Sequence, residues 1–136
     1  MVRPLMTDTV FLAQKALPAD TGDIAVADDL LDTLKAHEDG CVGMAANMIG
    51  VRKRIICVKD GNRTLLMYNP QILEQVNAYQ TSEGCLSLAG ERPCTRYRRI
   101  KVEYLDENFV NRIKNFSGYT AEIIQHEIDH CNGIVI

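Results

Sequence analysis

Hydrophobic positions along this chain change their period twice. From Asp23 onward, Ile24, Ala27, Leu30, Leu31 and Leu34 recur at three- and four-residue intervals, the spacing that lines one face of an α-helix. Asp23 can cap this helix and Gly40 can terminate it. The next stretch, CVGMAANMIG, is apolar and small; its glycines point to close backbone approach rather than a regular helix. Beyond it RIICV and TLLMY flank KDGN, and the Asp60-Gly61 turn signal predicts a β-hairpin. Asn69-Pro70 punctuates its end. A further strand is expected over residues 71–76, another over 99–105, where Ile100, Val102 and Tyr104 alternate with Lys101 and Glu103, and a last one over 110–116. After Gly118, YTAEIIQHEIDHCNG reads as a helix ending at Gly133 and capped by Ser117 or Thr120. The first twenty residues read as an irregular arm.

Strands enclosed by an early and a late helix, without βαβ alternation, predict an α+β fold: antiparallel β-sheets packed around the C-terminal helix, with one N-terminal helix. No repeat, low-complexity tract or linker divides the sequence, so residues 1–136 are expected to form a single domain. The composition, 46% hydrophobic and 24% charged with four prolines, is that of a folded protein. A net charge of −3 gives no basic field to collect nucleic acid. The local Arg96, Arg98, Arg99, Lys101 cluster reads as a solvated strand edge. Pro4, Asp8 and Pro18 interrupt the N-terminal region, which has neither a signal-peptide core nor a membrane-spanning length; a cytoplasmic protein without membrane partners is expected. Five cysteines without a CxxC pair argue against a disulfide framework, and Cys41, Cys57 and Cys94 read as small buried hydrophobes.

The chemistry lies in the last helix. His126-Glu127-Ile128-Asp129-His130 is an HExxH sequence, and at 3.6 residues per turn its histidines stand one turn apart on one face. Ile123, Ile124, Ile128 and Cys131 define an apolar arc with the histidines at its edge, while Gln125 and Asp129 fall opposite. Glu127 projects toward the apolar side, where a raised pKa lets a carboxyl take and return a proton. Chance alone gives such a motif in roughly one chain of this length in a few hundred. HExxH zinc sites need a third ligand, but none of the six residues after His130 is His, Asp or Glu. The ligand must come from upstream. Cys85, in the glycine-containing turn EGCLS, ranks first, ahead of Cys94 and of His37, whose place at the end of the early helix suits a cap.

GMAANMIG at residues 43–50, EGCLS at 83–87 and QHEIDH at 125–130 together resemble the three motifs of the peptide deformylase family, in the family's order and approximate spacing. The likeness includes the lead-in from Gly118 and the hydrophobic tail Gly133-Ile134-Val135-Ile136. It implies a metal site of Cys85, His126 and His130 with a fourth position for water, and Glu127 as general acid/base. It also implies an oxyanion held in part by the backbone N–H of Leu86, and a substrate path along Gly43, Met48 and Gly84. The implied reaction removes the formyl group from the N-terminal formyl-methionine of new polypeptides. The implied metal is Fe(II), with Zn, Ni or Co able to replace it. A formyl-methionyl peptide is then the partner; transient ribosome association is compatible with the resemblance. Glu83 pairing with Arg96 would brace the cysteine turn.

Two positions depart from the family's GxGxAAxQ pattern. Cys41 stands for its first glycine, and Met48 for the glutamine whose amide donates to the formyl oxygen. Methionine has no donor, and losing one oxyanion donor costs on the order of 10²–10³ in turnover. Asn47 has an amide, but in an extended segment it would point away from Met48's side. A deformylase-like protein that holds metal and formyl-peptides with little turnover is therefore the alternative reading. A metallopeptidase acting on internal bonds is a third, and it leaves EGCLS unexplained.

Overall fold

The computed structural model describes residues 1–135; Ile136, the end of the hydrophobic tail, lies outside them. Three α-helices, α1 (Thr9–Leu12), α2 (Ile24–Ala36) and α3 (Gly118–Cys131), accompany one five-stranded sheet. Its strands are β1 (Gly43–Ala45), β2 (Ile55–Asp60), β3 (Arg63–Cys85), β4 (Leu88–Leu105) and β5 (Asn111–Ser117), in the order β1-β2-β3-β4-β5 and antiparallel throughout.

β2 shows why the sheet needs helices on two sides. Ile55, Ile56, Cys57 and Val58 are all fully buried, because alternate side chains enter different cores. Ile56 and Val58 meet Ile123, Ile124 and Ile128 of α3, together with Ile100 and Val102 of β4. Ile55 and Cys57 meet Leu30 and Leu34 of α2, with Met44 and Tyr68. A strand covered on both faces reads as a continuous apolar run, as RIICV does. β4 alternates instead, since only its Ile100, Val102, Tyr104 face is packed on α3.

The structure extends the expected strands and moves some boundaries. The two segments expected on either side of Asn69-Pro70 form one 23-residue strand, with a register shift between Tyr68 and Gln71. A bulge is where a strand tolerates proline, which brings no N–H to the ladder. Asn69 adopts a positive φ of 54° there, and its side-chain amide closes on the backbone of Ala19 at 2.7 and 3.0 Å. α2 stops at Ala36 rather than reaching Gly40. Asp23 makes no cap bond to that helix; its carboxylate accepts the N–H of Asp20 across the short 3₁₀ turn Thr21–Asp23. Neither expected cap operates on α3, because Ser117 makes no side-chain cap bond and Thr120 donates to Asp60 at 3.0 Å. The N-terminal arm is not wholly irregular: Asp8 caps α1 through the N–H groups of Val10 and Phe11. Among the described residues no helix is long and apolar enough to cross a membrane.

Candidate metal centre

The end of β3 and the middle of α3 meet at one place. Cys85 closes β3, and a two-residue turn, Leu86-Ser87, leads into β4 at Leu88. This tight reversal aims the sulfur at α3: Cys85 Sγ lies 3.4 Å from His130 Nε2. His126 and His130 are buried, with ring centroids 5.2 Å apart. One ligand atom from each of Cys85, His126 and His130 falls within 4.8 Å of the others. Bonds of about 2.3 Å to sulfur and about 2.0 Å to nitrogen give a tetrahedral S···N edge of roughly 3.5 Å, so the donor set fits a first-row divalent ion. Both the thiolate and the imidazoles are chemically suited to such an ion.

Behind these three stands a charged brace. His126 turns Nδ1 to Glu83 Oε1 at 2.7 Å, leaving Nε2 for the ligand side. Arg96 donates to both oxygens of Glu83, from Nη2 at 2.8 Å and Nε at 3.1 Å, while its Nη1 reaches Asp129 at 2.7 Å. One guanidinium therefore ties the cysteine hairpin to the helix. Arg96 is 4% exposed, which corrects its assignment to a solvated strand edge; Arg98 and Arg99 remain outside. Gln125 is also not on an outer face. It is buried, and its amide exchanges two hydrogen bonds with the backbone of Tyr97, both at 2.8 Å, docking α3 on β4.

The electrostatics follow from these contacts. Burial opposes ionisation of Cys85, but hydrogen bonding to His126 and His130 overrides it and holds the thiol down at about 5. Burial likewise works against a charged His126, and Cys85 and Glu83 overcome it, raising the ring to about 10. Glu83 is kept well below the usual carboxylate range, against its burial, by His126 and Arg96. Glu127 goes the other way: burial raises its carboxyl, and its Oε1 has no hydrogen-bond partner among the described residues.

A cleft of about 570 Å³ opens over this cluster, with Gly43, Met48, Gly84, Leu86, His126 and Glu127 in its wall. That volume is within the usual range for small-ligand sites. A Cβ at Gly43 would lie 2.6 Å from Ile123 Cγ2 and 3.0 Å from Glu127 Oε2, so only glycine lets β1 pass this close to the carboxyl. At Gly84 a Cβ would come within 3.3 Å of the Gly90 carbonyl. Leu86 is 40% exposed on the cleft rim. Met48 is buried at the cleft wall, its Sδ accepting the N–H of Ala45 at 3.5 Å. The segment is not extended here, because residues Ala46–Ile49 form a 3₁₀ turn. Asn47 is directed to α3, with Nδ2 donating to the His130 carbonyl at 2.9 Å. It does not replace the missing amide at Met48.

Cys41, read as a buried hydrophobe, does line the cleft; its thiol bonds the Gly43 carbonyl and is raised by burial to about 11. Tyr119 and Glu122 complete the wall on α3, two residues that the sequence motifs do not include. Their positions seven and four residues before His126 are the available signal, since helical periodicity brings such residues to the histidine's side. His37 and Cys94 lie outside the cluster; His37 Nδ1 bonds the Thr33 carbonyl at 2.9 Å at the end of α2.

Residues 5–136 match the family described as Polypeptide deformylase. A Peptide deformylase of Clostridium beijerinckii is 51% identical over 136 residues, the full length of both chains. The crystal structure of a peptide deformylase from Thermus thermophilus superposes with a TM-score of 0.89 at 35% identity, covering 99% of this chain and 84% of that one. A Met-ala-ser bound class I type b peptide deformylase from Acinetobacter baumannii gives a TM-score of 0.88 at 30% identity, with 99% and 97% covered.

Proposed function

The chain belongs to the polypeptide deformylase family, and we propose that Cys85, His126 and His130 hold its metal ion while Glu127 moves the proton. Membership makes it a hydrolase that removes the N-formyl group from nascent polypeptides beginning with formyl-methionine, in a metal-dependent reaction. The observation that carries the residue assignment is the approach of one sulfur and two imidazoles to within 4.8 Å of one another, beside a buried carboxyl in the wall of the same cleft. Fe(II) is the ion proposed, as is typical of the family; the thiolate-imidazole set also suits Zn, Ni and Co.

When bound, the ion supplies Lewis-acid chemistry, acidifying a water and polarising the formyl carbonyl. The protein's groups do the rest. Glu127, raised by burial, accepts the proton of the attacking water at Oε1 and returns it to the departing amine. The N–H of Leu86 donates to the oxygen that gains charge. Gly43 keeps β1 against Glu127 and fixes where that carboxyl points. The cleft between the β1 segment and the Cys85 turn receives the formyl-methionyl end. Glu83, held by Arg96, orients His126. A cytoplasmic site of action and transient contact with the ribosome fit a substrate that is a nascent chain.

The test uses iron- or nickel-loaded protein on formyl-Met-Ala-Ser, following free amine, beside Glu127→Ala. Release by the wild type with loss in the variant is expected. Equal rates in the two would remove Glu127 from the mechanism.

A further inference from the structure

Among the described residues, two buried polar atoms near the C-terminal half of α3 lack partners: Asn47 Oδ1 and His130 Nδ1. Asn47 is 2% exposed and His130 is fully buried. The two residues touch, because Asn47 Nδ2 donates to the backbone carbonyl of His130 at 2.9 Å. His130 presents Nε2 to Cys85, so in the ligating neutral ring the proton sits on Nδ1. Such an N–H, buried without an acceptor, forfeits its bond to water with nothing in return. An amide oxygen without a donor is the complementary fault. His126 has no such problem, since its Nδ1 meets Glu83 at 2.7 Å.

We infer that Asn47 is the positioning residue of His130, anchoring its carbonyl through Nδ2 and accepting its Nδ1–H at Oδ1 through one bridging water. The two histidines are thus oriented by different means: His126 by a carboxylate on the sheet, His130 by a neutral amide from the 3₁₀ turn after β1. This rests on the metal-site assignment above. It explains why a polar side chain is buried in the otherwise apolar run Met44–Ile49. It also gives Asn47 a role in metal retention rather than in holding the formyl oxygen.

Zinc-loaded protein labelled with ¹⁵N-histidine tests it. The wild type should show slowly exchanging ring N–H signals for His126 and His130. In Asn47→Ala, the His130 signal alone should be lost to exchange, and zinc release to a chelator should accelerate about 10- to 100-fold. Asn47→Asp keeps the acceptor and loses the donor, and should retain both the His130 signal and slow release. An unchanged His130 signal in Asn47→Ala, equal disturbance of His126, or an Asn47→Asp variant as leaky as Asn47→Ala would each overturn the inference. A wild type that retains no zinc would instead bring down the metal-site assignment.

Discussion

Met48→Gln should raise turnover. In the wild type the residue is 2% exposed at the cleft wall, and its side chain engages a polar group only through a 3.5 Å contact between Sδ and the N–H of Ala45 among the described residues. Glutamine has nearly the same length. Its Oε1 can take over the Ala45 N–H, a better acceptor than a thioether, which leaves Nε2 facing the cleft as a donor. One oxyanion donor is worth about 2.7–4 kcal/mol, or 10²–10³ in kcat. In the proposed mechanism the Leu86 N–H and the ion share that charge, so we expect a smaller gain of about 10- to 100-fold. The gain should fall on kcat with KM little changed, since the donor acts mainly on charge that develops in the transition state. Burying a second amide N–H offsets this in stability by about 1 kcal/mol. Initial rates of free-amine release from formyl-Met-Ala-Ser, with metal content and thermal midpoint measured on the same samples, decide the matter. A folded, fully loaded Met48→Gln protein with unchanged or lower kcat would refute the reasoning.

Three further outcomes follow from the same geometry. Glu127→Ala should lower kcat by about 10²–10⁴ while metal content by elemental analysis stays at the wild-type level; loss of the metal would mean that the carboxyl helps to hold the site together. Arg96→Met strands the carboxylates of Glu83 and Asp129 and should cost about 3–5 kcal/mol, read as a lower urea midpoint; a stability within about 0.5 kcal/mol of the wild type, the range of an ordinary surface substitution, would show that the brace contributes nothing. In metal-free protein, Cys85 should alkylate with a rate that rises as pH climbs through about 5, because the thiolate is the nucleophile and its folded pKa is depressed. Cys41, raised to about 11, should stay unreactive over that range, and a Cys85 midpoint at the ordinary thiol value of about 8.5 would contradict the site's electrostatics.

The helix bearing HExxH and the hairpin around Asp60-Gly61 are legible in the sequence because each is specified locally, by a period and by a turn. The Cys85 turn is legible through the order of three short motifs. What stays hidden depends on pairing between distant segments. Arg96 sits in a basic run that resembles a surface edge; its pairing with Glu83 is implied by the family resemblance, but its reach to Asp129 under α3 depends on the pairing of β3 with β4. Gln125 reads as outward on a helical wheel, yet the backbone N–H and carbonyl of Tyr97 in the facing strand draw it inward. Asn69-Pro70 looks like a strand end because a bulge is set by the partner strand's register, which no local pattern records. The 3₁₀ turn at Ala46–Ile49 escapes notice for a similar reason: its small apolar residues follow from packing against α2 and the sheet, not from a period.

These pairings explain how the chain brings three proposed ligands together from two elements. Two of them, His126 and His130, share one face of α3 by helix geometry. The third depends on a hairpin end, which would otherwise be among the more mobile parts of a fold. Arg96 removes that freedom by joining Glu83, two residues before Cys85, to Asp129, one residue before His130. The contact is charged and nine-tenths buried on the Arg96 and Glu83 sides, so breaking it would leave costly unpaired groups. A displacement of the turn away from α3 is opposed at a point within two residues of each end of the site. The cleft, by contrast, is walled at Cys41 and Met48 by side chains whose polar contacts among the described residues are weak ones through sulfur. Substitution at these two wall positions therefore bears on the cleft more than on the stability of the fold, whereas substitution in the brace bears on both.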